Sequence, residues 1–154
     1  PMNNPVFDRA VFDARNRIYK KVMNKNKMRE LVRALKQKHM LWYPADQDYG
    51  PKDSVFAPFF GVQAASLATT SGLVSIGDCE VLALYHHRLK DNRYRLEIKP
   101  IHIGEKTDPT ATATAVNETI EAGIRLVPEQ YMWVHRRFKT RPPSDPKPIY
   151  AQKK

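Results

Sequence analysis

Two carboxylates stand two positions apart in the run Asp46-Gln47-Asp48-Tyr49-Gly50-Pro51. A carboxylate placed in such a loop can accept a hydrogen bond from the hydroxyl of a polar acceptor, or orient it electrostatically. The same residue types make an Asp turn ahead of Gly50-Pro51, and taken alone the turn is the better reading. His86 and Asp91 have a His-x4-Asp spacing, in which an imidazole can take a proton from a hydroxyl while a carboxylate orients it. Their setting argues against that use. His86 falls in a strand and Asp91 in the turn after it, so extended chain holds them about 16 Å apart. His86-His87 would need further ligands to hold a metal, and no spacing supplies them. No metal or other cofactor is expected. From Pro128 to Pro142 the aromatic residues Tyr131, Trp133 and Phe138 alternate with Arg136, Arg137, Lys139 and Arg141. That mixture suits a membrane interface or a phosphate-rich ligand, and it also suits RNA stacking.

Charge is distributed unevenly. The formal net charge is +10 over 154 residues. Residues 1–40 carry eleven Lys/Arg against three Asp/Glu, residues 41–133 eight against twelve, and residues 134–154 seven against one. Two basic ends flank a mildly acidic middle. Basic ends suit polyanions such as nucleic acid, anionic lipid headgroups, phosphosugars or an acidic carrier protein. No apolar run approaches the ~18 residues needed to span a bilayer. No secretory signal precedes Pro5, and a chain opening on Pro1 reads as an excised segment. The single cysteine, Cys79, lies in an apolar run and reads as a small buried hydrophobe.

The elements that must position these residues follow from spacing. Asn4-Pro5 predicts a helix start, with Asn4 as N-cap and Pro5 at the first helical position. Phe7, Val11, Ile18 and Val22 fall on helical spacing behind it. A second helix carries Met28, Leu31, Val32 and Leu35, with cations in its last turn. Met40-Leu41-Trp42-Tyr43 is an unbroken apolar run that reads as a buried parallel strand, which would place Asp46 at a strand's carboxyl end, where ligands bind in open α/β sheets. Gln63 to Ser75, with Ala64, Ala65, Ala68 and Gly72, reads as a small-residue helix. Glu80–Arg88 and Tyr94–Ile101 read as a hairpin turned at Lys90-Asp91-Asn92. Asp108-Pro109 starts a last helix with Val116, Ile120, Ile124 and Val127 as its stripe. The expected class is α/β, a mixed sheet flanked by helices. Residues 1–142 form the domain and 143–154 a Pro/Lys-rich tail, extended or disordered.

Two stretches carry a resemblance. Pro128-Glu129-Gln130-Tyr131-Met132-Trp133-Val134-His135-Arg136-Arg137-Phe138-Lys139-Thr140-Arg141-Pro142 is similar to the carboxyl-terminal signature of the lipid A biosynthesis acyltransferases of Gram-negative bacteria, the lauroyl, myristoyl and palmitoleoyl transferases. Trp42 to Pro51, with Ser54-Val55-Phe56 and Pro58-Phe59-Phe60 behind it, resembles that family's Asp-x-Asp-Tyr-Gly-Pro block. Pro1 to Pro5 resembles the segment after a family Tyr-Arg pair.

The resemblance implies the carboxyl-terminal part of an enzyme with a glycerol-phosphate-acyltransferase-like fold. Its partners would be an acyl carrier protein thioester, an anionic lipid A precursor and the cytoplasmic face of the inner membrane, reached through an anchor outside this chain. The family's catalytic His-x4-Glu/Asp block would lie upstream of Pro1, so this segment alone is expected to lack turnover. By motif, Asp46 and Arg15, the latter in Arg15-Asn16-Arg17, are the expected catalytic positions. Asp48, Tyr49, Arg136 and Arg137 are expected to bind substrate. Arg15 could offer positive charge to a phosphate or to the thioester oxyanion, or be a solvated arginine on an amphipathic helix. A basic nucleic-acid-binding domain and a non-catalytic membrane-surface module are the alternatives from other classes. No known nucleic-acid motif appears, and no nucleic-acid partner is expected.

Overall fold

A computed structural model describes residues 4–24, 27–104 and 108–150. Pro1 to Asn3, which carry part of the amino-terminal resemblance, lie outside the described residues. Helix α1 (Pro5–Ile18) starts at the expected cap, where the Asn4 side chain accepts from the N–H groups of Val6 and Phe7 at 3.0 and 3.2 Å. Pro5 fits the first helical position because an N–H there would have no partner. Helix α2 (Met28–Lys36) follows. α1 buries none of its residues and α2 buries Leu31 alone.

Strands β1 (Ser54–Phe59) and β2 (Val62–Leu67) pair antiparallel, from Ser54↔Leu67 to Phe59↔Val62. Their turn is Phe60-Gly61, with φ of 49° and 76°. A two-residue turn with both φ values positive matches the twist of the flanking strands. The cost of a left-handed phenylalanine is offset by its N–H, which donates to Glu121 Oε1 at 2.7 Å. Helix α3 (Thr69–Gly77) leads into β3 (Val81–Arg88), which pairs antiparallel with β4 (Tyr94–Ile101). Helix α4 (Pro109–Leu126) is capped by Asp108, whose carboxylate accepts from Ala111 N–H at 2.7 Å. A 3-10 turn at Pro128–Gln130 follows.

The core lies where α4 crosses β1 and β2. Phe59, Ala64 and Ile124 form its centre, with Phe60, Ile120, Tyr131 and Phe138 packed around them. Ala57, Ala64 and Ala65 are wholly buried. Small residues there let the helix approach the hairpin closely. On the side of α4 that meets β3, Gly123 leaves room for no side chain: a Cβ at that position would come within 2.3 Å of the Tyr85 ring.

The mixed α/β composition is as expected. The strand arrangement differs from the expectation: among the described residues there are two separate antiparallel hairpins and no parallel pair. The run Met40–Tyr43 is not a strand. A strand exists only through a neighbour, and none pairs with it. Met40 and Trp42 are exposed, Trp42 lies parallel to Tyr19 with 6.4 Å between ring centres, and only Tyr43 is anchored, its hydroxyl 2.8 Å from Thr70 Oγ1. The expected helix over 63–75 is instead β2 followed by α3. Alanine suits a helix by propensity, but Ala64 and Ala65 are buried beneath α4, and the Phe60-Gly61 turn fixes them as a strand. The tail is not free up to Tyr150. Asp145 N–H closes a turn onto Pro142 C=O at 3.0 Å, Arg141 pairs with Asp145, and the Tyr150 hydroxyl accepts from Phe138 N–H at 3.2 Å.

Candidate functional site

The loop from Pro44 to Asp53 is closed on itself and then tied to the carboxyl-terminal segment. Tyr49 donates its hydroxyl proton to Pro44 C=O at 2.9 Å, and Ser54 Oγ donates to Gly50 C=O at 2.7 Å. Gly50, with φ of 87°, takes the left-handed turn that a glycine permits. Its N–H donates to Asp48 Oδ1 at 2.9 Å, which is the Asp turn the sequence allows.

Asp48 does more than cap that turn. It is 4% exposed, and its Oδ2 accepts from Thr140 N–H at 2.8 Å while Oδ1 accepts from Thr140 Oγ1 at 2.9 Å. Its own N–H donates to His135 Nε2 at 3.0 Å, which requires that nitrogen to be unprotonated. A carboxylate accepting this many bonds is fixed in place.

Arg137 is the second tie. It is 2% exposed, and its guanidinium donates to Ala65 C=O at 2.6 Å, Ser66 Oγ at 2.8 Å and Asn117 Oδ1 at 3.3 Å, while its plane lies over the Phe59 ring at 5.2 Å. Asn117 in turn donates to Pro58 C=O and Ser66 Oγ at 2.8 and 2.9 Å. Burial holds the guanidinium below the usual arginine value, with nearby Tyr131 and Asp48 opposing that shift. Its neighbour Arg136 points the other way. It is exposed, 5.7 Å from the Tyr150 ring centre, and lines an open cleft of about 380 Å³ with Lys139, Arg141 and Pro146.

Asp46 differs from Asp48. It is half-buried, and its side chain makes no hydrogen bond among the described residues. Its charge acts on two nearby phenols. Desolvation first, and then the Asp46 charge, raise the hydroxyls of Tyr49 and Tyr131, the latter to about 12. The Tyr131 hydroxyl is itself buried and unpartnered among the described residues. Arg15 stands on the exposed surface of α1, and its side chain makes no hydrogen bond or ion pair among the described residues that would link it to this loop. The structure therefore brings together Asp46, Asp48, Tyr49 and Arg137, places Arg136 on an adjoining face, and does not bring Arg15 to them.

His86 and Asp91 are separated as expected. His86 stands in mid-strand opposite Leu96, whereas Asp91 lies in the turn and pairs with Arg93 at 2.7 Å. That hydrogen bond holds the Asp91 carboxyl below its ordinary value. Sequence reasoning placed Tyr131 and His135 in the carboxyl-terminal signature without giving either a site role of its own, and missed Ser66 and the polar pair Asn117 and Glu121. The last two were findable: they lie one turn apart within an otherwise apolar stripe of α4, which is where a buried polar pair must serve a partner.

A family described as bacterial lipid A biosynthesis acyltransferase matches residues 1–140. The chain belongs to that family. A lipid A biosynthesis palmitoleoyltransferase of Escherichia coli (strain K12) is 41% identical over 146 residues, which is 92% of this chain and 47% of that protein. A lipid A biosynthesis lauroyltransferase of the same organism is 35% identical over 149 residues, covering 95% of this chain and 49% of the relative. A Haemophilus influenzae lipid A biosynthesis acyltransferase is 35% identical over 156 residues, covering 97% and 50%. The chain thus spans about half the length of the acyltransferases it matches. Among its described residues no helix is long and apolar enough to cross a membrane.

Proposed function

We propose that this chain forms the acceptor-side half of a lipid A acyltransferase site, working with an acid–base pair carried elsewhere in the enzyme. The reaction is acyl transfer from an acyl carrier protein thioester to a hydroxyl of a lipid A precursor, at the cytoplasmic face of the inner membrane. The acceptor O–H loses its proton to a base, its oxygen attacks the thioester carbonyl, the C–S bond breaks, and the carrier thiol leaves with a proton. The observation that carries this reading is the pairing of two unlike carboxylates in one loop. Asp48 is fully committed to holding the loop against residues 135–140, whereas Asp46 keeps its oxygens for a ligand. A free carboxylate on a rigid loop can accept the acceptor hydroxyl or orient a catalytic side chain. Arg136 and Lys139 on the adjoining cleft suit the precursor's anionic groups, and Arg15 would reach the site only through parts of the enzyme packed against α1.

The test is a chimera in which this chain replaces the matched half of the E. coli palmitoleoyltransferase. Asp46→Ala should lower turnover of carrier-protein thioester by on the order of 10–1000-fold, while Asp91→Ala stays close to the parent. Thermal unfolding of both variants separates chemistry from folding. Normal turnover in Asp46→Ala removes that residue from the site.

A further inference from the structure

The β3–β4 hairpin shows its apolar side to solvent. The register puts Leu82 opposite Pro100, Leu84 opposite Ile98, His86 opposite Leu96 and Arg88 opposite Tyr94. On that one face Leu82, Leu84, Tyr94, Leu96 and Ile98 are 46, 48, 64, 66 and 62% exposed. The opposite face, turned to α4, carries Tyr85, whose hydroxyl donates to Thr119 C=O at 2.7 Å, and the Glu97–Lys99 ion pair at 3.2 Å. On β3 the face turned to α4 is the less exposed one, and on β4 that face has Glu97 half-buried with Arg95 and Lys99 exposed, so the hairpin shows cations to solvent on one side and large apolar side chains on the other. Among the described residues each strand also has a single strand neighbour, and apart from the Gln130 side chain, which bonds Arg88 N–H and C=O at the end of β3, no strand covers the outer edges. A lone two-stranded hairpin is marginal in water, and an open apolar edge invites pairing.

We infer that this face and its open edges are the docking surface for the remaining half of the acyltransferase fold, the polypeptide that relatives carry outside the stretch matched here. This rests on the family reading and on the acyltransferase assignment above. Three observations select that occupant. The matched relatives have about half their length unmatched, 53% for the palmitoleoyltransferase, enough chain to supply both a covering layer and flanking strands. A bilayer could cover the apolar side chains but offers no backbone partners to the strand edges, and unpaired N–H and C=O groups are excluded from hydrocarbon. A second copy would bring a chain of net charge +10 against itself, with Arg88 on both faces.

Co-expression of the tagged 154-residue chain with the unmatched part of the E. coli palmitoleoyltransferase tests this. Equimolar co-purification is expected, with amide exchange along β3 and β4 slowed at least tenfold in the complex. Leu84→Lys and, separately, Ile98→Lys should each abolish capture, while leaving the helical circular dichroism of the isolated chain unchanged. No capture, or capture indifferent to both variants, overturns the inference. So does a homodimer that Leu84→Lys dissolves, or binding of phosphatidylglycerol vesicles that the same change removes. Capture without acyl transfer sustains the docking surface and counts against the acyltransferase assignment. Transfer that survives both variants does the opposite.

Discussion

The region around β1, β2, α4 and residues 131–141 contrasts with α1 and the outer face of β3–β4. Both are rich in large apolar residues and in cations. In the first the central ones are enclosed: Phe59 is 1% exposed and Arg137 2%, with the Arg137 guanidinium bonded to Ala65, Ser66 and Asn117. In the second they stand in water, Val6 at 77%, Ile18 at 78% and Leu96 at 66% exposed. Composition does not separate the two; connection does. The enclosed region is closed by contacts between segments far apart in sequence, so its stability belongs to this chain. The open region satisfies its backbone locally and leaves its apolar faces for something else.

Substitutions can break or sharpen that contrast. The largest effect is expected at Arg137. Arg137→Ala removes a buried guanidinium, leaves Ala65 C=O and Asn117 Oδ1 without its donated bonds and Ser66 Oγ with Asn117 as its donor, which should cost about 3–5 kcal/mol in chemical denaturation, enough to unfold a marginal domain. If the loss were under about 1 kcal/mol, the buried network would not be what closes the core. Gly123→Ala comes next, because its methyl must displace the Tyr85 ring. A cost of about 1–3 kcal/mol is expected, and Tyr85→Ala in the same chain should relieve part of it, readable as a non-additive double-mutant cycle. The smallest effect is expected at Ile18. Ile18→Ser on α1 should change stability by less than about 0.5 kcal/mol, since nothing is unburied. A larger loss would mean that α1 is packed.

How much of this was legible follows the same division. Helices α1, α2 and α4 were readable because their starts are written locally, in Asn4-Pro5 and Asp108-Pro109 caps and in 3.6-residue stripes, although α1 ends at Ile18, one turn short of Val22, because its stripe is not buried. The β3–β4 hairpin was readable from alternation and from the Lys90-Asp91-Asn92 turn. β1 and β2 were not, because Ala64 and Ala65 carry a helical propensity that burial under α4 overrides, and because Phe60-Gly61 is an unadvertised turn pair. The run at 40–43 was misread for a related reason: its apolar character fits a buried strand, but strand formation depends on a neighbour that no local pattern encodes. Within the site, the motif pointed to Asp46 and Asp48 without dividing their roles. That division depends on Thr140 and His135, and no spacing rule connects position 48 to position 140. Arg136 and Arg137 are likewise indistinguishable as adjacent letters; only the packing decides that one lines a cleft while the other is buried in the core.

The bond between Asp48 and Thr140 spans 92 positions of chain. A ribosome extending the polypeptide by about 5–20 residues per second leaves a lag of about 5–20 s between the two. During that interval the α1 cap and the Asp turn at Gly50 can form, since their partners are already made, but the Asp48 carboxylate has nothing to close upon. The segment bearing the free carboxylate of Asp46 therefore matures only after the strap containing His135 and Arg137 has emerged, and nascent chains halted before Thr140 carry the acidic loop without its final shape.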